Sequence, residues 1–177
     1  MKRVACLSCL MSLFIIPHAA MAADGVPVEA SGGYSYLHDQ GASSNFPSGW
    51  TGSVSVGINS KLSVVGELGG SYQTLTTPSG NVTGHIYSFL GGARYTAYSA
   101  GKVSVFGQAL VGAARSSLGV DTTVSPETDF ALQPGGGVDV TLAPKWAVRV
   151  QGDFRAIRAS GSTTKQERVA AGIVFKP

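Results

Sequence analysis

The stretch WAVRVQGDF, Trp146–Phe154, alternates between apolar and polar side chains. Trp146, Val148, Val150 and Phe154 share one side; Arg149, Gln151 and Asp153 share the other. A period of two is the mark of a β-strand with two unlike faces. The period alone does not say which face is inside. A soluble sandwich or lipocalin-like barrel buries the apolar face. A membrane barrel turns that face to lipid and encloses the polar one. The rest of the chain has to decide.

Seven further runs resemble this one. They are Val28–Leu37, Trp50–Ile58, Leu62–Leu75, His85–Tyr98, Lys102–Ala114, Phe130–Leu142 and Glu167–Phe175, and the opening run continues to Ile157. These eight runs are 9 to 14 residues long. Strands of globular proteins are usually ~5–6 residues, whereas a tilted membrane strand needs ~9–11. The connections alternate in length. Those around Asn59–Lys61, Ser99–Gly101 and Ala143–Lys145 are tight. HDQGASSNFPSG, TTPSGNVTG, RSSLGVDTTVSPETD and RASGSTTKQ are longer, and they predict loops on the opposite rim. Such asymmetry suits an outer-membrane barrel with tight periplasmic turns.

Sorting by parity answers the opening question. The apolar face carries mainly Val, Leu, Tyr, Phe and Trp. The other face is small, with Gly and Ser and a few charges, which suits the crowded interior of a narrow barrel. Its charges balance, with Glu29, Glu67, Asp139 and Asp153 against Arg94, Arg149, Arg155 and Arg168. Buried charges persist when paired, so these eight predict a structural network in the lumen. Asp139 and Arg149 are equidistant from Pro144, and Glu67 and Arg94 are nearly symmetric about the 75–84 connection, which predicts two cross-strand pairs. Val65, Ile86, Leu90, Phe106 and Leu110 are apolar exceptions on the lumen face. Tyr34, Tyr36, Trp50, Tyr72, Tyr87, Tyr95, Trp146 and Phe175 crowd toward strand ends, as interfacial belts do. The fold class expected is all-β, an eight-stranded antiparallel up-and-down transmembrane barrel.

The first residues, MKRVACLSCLMSLFIIPHAAMAADG, show two cations, an apolar run and an Ala20-Met21-Ala22 site. This is the pattern of a secretory signal, so the expected division is a signal peptide over 1–22 and a barrel over 23–177. The run is shorter than the ~20 residues of a membrane-spanning helix. Cys6 and Cys9 both lie within it, which leaves the exported chain without cysteine. The charge count of 13 Lys and Arg against 10 Asp and Glu becomes 11 against 10 once Lys2 and Arg3 are set aside. With no basic run, nothing points to nucleic acid.

The motifs SGGYSYL, YSFLGGARYT, VFGQALVGAARSS and FALQPGGGVDVTLAPKWAVRVQGDFRAIR, in that order, make the chain resemble the small OmpA/OmpX-like outer-membrane β-barrel proteins. The resemblance covers about Val26 to Phe175. It implies a bacterial outer-membrane location, surrounding outer-membrane lipid, and a C-terminal strand, ending AGIVF, that the barrel-insertion machinery reads. It implies no single activity.

Chemistry is sparse. His38 sits in the first long connection. His85 and Ser88, three apart on a strand, fall on opposite faces, so they make no nucleophile–base pair, and the lipid A deacylases of this fold use a His-x-Ser pair that is missing. Glu67 and Asp153 have arginines on their own face, which favours ion pairing over acid–base work. GGG at 135–137 lacks the context of a phosphate loop. No metal-ligand cluster or cofactor motif is present. Three functions remain: a structural or surface-interaction barrel acting through its outer loops on an unidentified ligand, a small gated pore of the porin type, or a lipid-modifying enzyme. The first is the leading expectation.

Overall fold

The computed structural model describes residues 26–41, 44–77, 80–120, 123–159 and 162–177. The expected signal peptide and the four outermost hairpin tips lie outside these. The strands are β1 (Val28–Asp39), β2 (Ser44–Phe46), β3 (Ser48–Gly57), β4 (Leu62–Thr77), β5 (Gly80–Ala100), β6 (Val103–Val120), β7 (Thr123–Ala143), β8 (Trp146–Ala159) and β9 (Ser162–Phe175). All pairings are antiparallel; from β3 to β9 they join chain neighbours, and β1 also pairs with β9, which closes the barrel. Short β2 and β3 both pair with β1 and form one stave, broken at Pro47. Proline has no N–H to give the ladder. The staves therefore number eight.

Faces follow parity. Val54, Val105, Leu132, Val150 and Ile173 are exposed on the outside, while Glu67, Arg94, Asp139, Arg149, Asp153, Arg155 and Arg168 are buried inside. A register shift between Thr96 and Tyr98 places an extra residue in β5. Tyr95 and Tyr98, of opposite parity, are consequently both exposed. A bulge has this effect because one unpaired residue reverses the alternation. At the same rim Asn59 Oδ1 accepts from the N–H groups of Lys61 and Leu62, at 2.9 and 2.8 Å, and Gly101 supplies the positive φ of 59° its turn requires.

The opposite rim differs from the sequence expectation. The long connections are not irregular loops. The ladder runs on to Thr77 opposite Gly80, Val120 opposite Thr123 and Ala159 opposite Ser162. β5 and β7 reach 21 residues each, about twice what a bilayer needs. Thr and Val favour strands, and above the lipid the alternation of faces need not be kept. A Ser/Thr-rich strand in water therefore reads like a loop.

Candidate functional site in the barrel lumen

The eight charged residues singled out by parity fall into two layers. The layer nearer the tight turns holds Glu29 from β1, Arg94 from β5, Asp139 from β7 and Arg149 from β8. Asp139 and Arg149 are direct cross-strand partners. Arg149 Nε donates to Oδ1 and Nη2 to Oδ2 of Asp139, both at 2.7 Å, a bidentate pairing of the strong kind. Glu29 draws three cations, with Arg149 Nη2 at 3.2 Å, Arg94 Nη1 at 3.7 Å and Lys176 Nζ at 2.9 Å. Phe106 explains one apolar exception on this face. The guanidinium carbons of Arg94 and Arg149 sit 4.5 and 4.7 Å from its ring centroid, within cation–π range.

Asp139→Ala and Arg149→Ala should each cost ~3–5 kcal/mol, because each leaves a buried charge without its partner. The double variant should cost much less than the two losses added. Guanidinium unfolding of the four members of the cycle checks this; strict additivity would show that the two side chains are not coupled.

The second layer centres on Arg168 of β9. Its Nη2 reaches Glu67 Oε1 at 2.7 Å and Asp153 Oδ2 at 2.6 Å, and its Nε donates to the same Asp153 oxygen at 3.0 Å. Gln133 and Gln151 donate to Glu67 at 2.9 and 3.4 Å, and Gln151 also donates to Asp153 at 3.1 Å. Gln108 joins the layers. Its Oε1 accepts from Arg94 at 2.9 Å and its Nε2 donates to Asp153 at 3.1 Å.

Two details depart from the sequence reading. Glu67 and Arg94 do not meet. The hairpin is centred between Thr77 and Gly80, so Glu67 faces Leu90 and Arg94 faces Ser63, nearer the tight turns. Arg155 has no carboxylate within ion-pair reach among the described residues. It donates to Gln133 Oε1 at 2.8 Å and Ser88 Oγ at 3.2 Å instead. Gln133 shares the parity of Asp139 and was legible by that signal alone. Asp39 and Gln166 lay in presumed loops. They are direct partners across the β1–β9 seam, joined at 2.8 Å.

The other apolar exceptions also line the lumen. Val65, Leu90 and Leu110 cluster with Ala114, Ala131 and Ile157, and Ile86 packs with Leu37 and Phe46. Beside Glu67, Arg149 and Gln151 the free space is about 10 Å³, room for about one water. A wider cavity of about 190 Å³ opens at the tight-turn mouth, lined by Glu29, Arg94, Phe106, Asp139 and Lys176 among others. Ser88 is inside the barrel and held by Arg155. His85 packs edge-on against Tyr72 in the outer aromatic belt, with ring centroids 5.4 Å apart, so the two do not form a catalytic pair. No group of His, Cys, Asp or Glu suited to a metal occurs among the described residues.

The outer membrane protein beta-barrel domain is matched over residues 6–175. Among curated protein sequences none matches. Solved structures of the same shape include Neisserial surface protein A, at 17% identity and a TM-score of 0.66, covering 86% of this chain and 97% of that one. Ail of Yersinia pestis, solved with the heparin analogue sucrose octasulfate, is 13% identical with a TM-score of 0.54, covering 85% and 97%. The N-terminal barrel domain of Pseudomonas aeruginosa OprF is 9% identical, also at 0.54, covering 83% and 97%. At these identities the likeness is one of fold.

Proposed function

The chain belongs to the outer membrane protein beta-barrel domain family and resides in the bacterial outer membrane, and on that premise we propose that it is a closed, non-catalytic barrel that presents its outer hairpins as a contact surface. The filled lumen carries this reading. Two balanced charge layers and two apolar clusters occupy the bore, and the pocket beside Glu67, Arg149 and Gln151 is about 10 Å³. A pore needs a continuous water path, and an eight-stranded barrel is just wide enough for its own side chains. The eight lumen charges serve as structural ion pairs and hydrogen bonds, with no role in turnover.

Function then falls to the parts outside the lipid. The β4 to β7 ladder runs on beyond the aromatic belt, and Arg115, Arg158 and Lys165 on the outward rim are exposed and have no carboxylate within ion-pair distance among the described residues. Rigid scaffolds commonly bind through such projecting segments. The same reading includes removal of residues 1–22 on export and recognition of β9 by the insertion machinery.

The test combines planar-bilayer recording with hairpin trimming. The native protein should pass no steady current, and a variant with the outer hairpins cut to tight turns just above the belt should still insert and keep its fast mobility in unheated gels. Steady large currents would make the protein a pore. Failure of the trimmed barrel to insert would make the hairpins scaffold rather than contact surface. A change in lipid A mass in expressing cells would revive the enzyme reading.

A further inference from the structure

The tight-turn rim carries a lysine at each of its four corners. Lys61, Lys102 and Lys145 immediately precede β4, β6 and β8, and Lys176 immediately follows β9. The first three are structural equivalents. Each gives its carbonyl to a backbone N–H on the neighbouring hairpin or strand end: Thr96 to Lys61 at 2.7 Å, Thr141 to Lys102 at 2.8 Å and Lys176 to Lys145 at 2.9 Å. With a hairpin turn after every second stave, the corners are spread around the whole circumference.

Each lysine is one residue from a lipid-facing side chain, namely Leu62, Val103, Trp146 and Phe175. A residue of strand rises ~3.3 Å, so the ammonium groups start at the edge of the apolar band. That is the depth of lipid headgroups, and a long lysine can keep its stem on apolar surface while its head reaches a phosphate. The exposed aromatics Tyr95, Tyr98 and Trp146 mark the same level.

Three of the four lysines are also uncommitted. Lys176 is held by Glu29 at 2.9 Å. Lys61, Lys102 and Lys145 are exposed and have no carboxylate within ion-pair distance among the described residues. Turn residues Asn59, Ser60 and Ser99 line the cavity at the mouth; these three lysines do not. Inside the barrel most cations meet an acid, so the contrast is a property of the rim.

We propose that this rim is a collar for anionic phospholipids of the inner leaflet, in which Lys61, Lys102 and Lys145 each take a headgroup phosphate. A periplasmic polyanion such as peptidoglycan would fit cations standing clear of the bilayer; these sit at its edge.

Trp146 adjoins Lys145 and makes a local reporter. The chain has two tryptophans, so Trp50→Phe leaves Trp146 alone. Its quenching is measured in vesicles containing brominated phosphatidylglycerol or brominated phosphatidylcholine. The anionic lipid should be preferred several-fold, up to about fivefold at each lysine, and the preference should collapse in ~0.5 M salt. Lys61→Gln with Lys102→Gln and Lys145→Gln should abolish it while gel mobility shows a folded barrel. Arg115→Gln with Arg158→Gln and Lys165→Gln, on the other rim, should leave it intact. Equal quenching by both lipids in the native protein, or a preference that survives the triple lysine change, overturns the collar. Lysine-dependent sedimentation with purified peptidoglycan, without a lipid preference, overturns it in favour of that polymer.

Discussion

Arg168→Met is expected to cost the barrel ~3–5 kcal/mol of unfolding free energy, at the upper end of what breaking a buried ion pair does. Arg168 answers two acids at once, Glu67 at 2.7 Å and Asp153 at 2.6 Å. Methionine keeps much of its volume and leaves both carboxylates without a cation, where the pocket beside Glu67 is only about 10 Å³. Arg155→Met should cost less. Arg155 is as deeply buried, yet its acceptors are the neutral Gln133 and Ser88, and losing a bond to a neutral partner costs only ~1–3 kcal/mol. Adding Glu67→Gln and Asp153→Asn to Arg168→Met should restore most of the loss, since the two amides need no cation. Guanidinium titrations of detergent-folded protein, followed by tryptophan fluorescence, give the ranking. Equal losses for Arg168→Met and Arg155→Met would mean that packing rather than charge governs this layer.

The ranking bears on the proposed function, which makes this layer the plug. Arg168 of β9 meets Asp153 on neighbouring β8 and also reaches Glu67 on β4, three staves away, so it ties walls that share no ladder across the bore. A channel lining would leave cations free to meet passing ions. Here the guanidinium groups of Arg149 and Arg168 are taken by protein acids, and Arg94 reaches both Glu29 and Gln108. On the proposed reading, the same side chains stabilise the fold and close the path.

Much of this was legible in the sequence for one physical reason. In a barrel the inside and outside of every strand are fixed by parity, so a local alternation such as Trp146–Phe154 reports a global fact. Arg149, Gln151 and Asp153 are in the lumen and Trp146 and Val150 face out. The Asp139–Arg149 contact was legible too, because a tight turn sets the register by symmetry. Partners across the bore were not. Whether Glu67 meets Arg94 or Arg168 depends on strand tilt and stagger, which no single strand records. The bulges near Ala97 and Leu142 were equally silent, being single-residue slips in otherwise regular runs. The hairpin extensions escaped because Ser, Thr and Gly serve both loops and solvated strands. Val65, Leu90 and Leu110 were visible as exceptions, but they become one apolar cluster only when neighbouring staves bring them together.

Gly172→Val is expected to abolish the folded barrel altogether. Gly172 of β9 and Gly33 of β1 are direct partners across the closing seam. A Cβ on Gly172 would lie 2.8 Å from the Gly33 Cα and closer still to the Gly32 carbonyl oxygen. Those are backbone atoms held in the ladder, so they cannot turn aside as a flexible side chain could. The strands would have to separate where the barrel closes. An open seam is intolerable in lipid, because each unpaired N–H and C=O there lacks any water to bond. Gly152→Val provides the control. Gly152 faces lipid on β8, and a Cβ there would meet nothing within 4 Å; the added methyl groups enter an apolar solvent at no such cost. In unheated gels Gly152→Val should run as the compact form and shift on boiling, and Gly172→Val should run as unfolded chain in both lanes. A compact, heat-shifted Gly172→Val protein would show that β1 and β9 can close with a side chain between them, and that the near contact of the two glycines is not what seals the barrel.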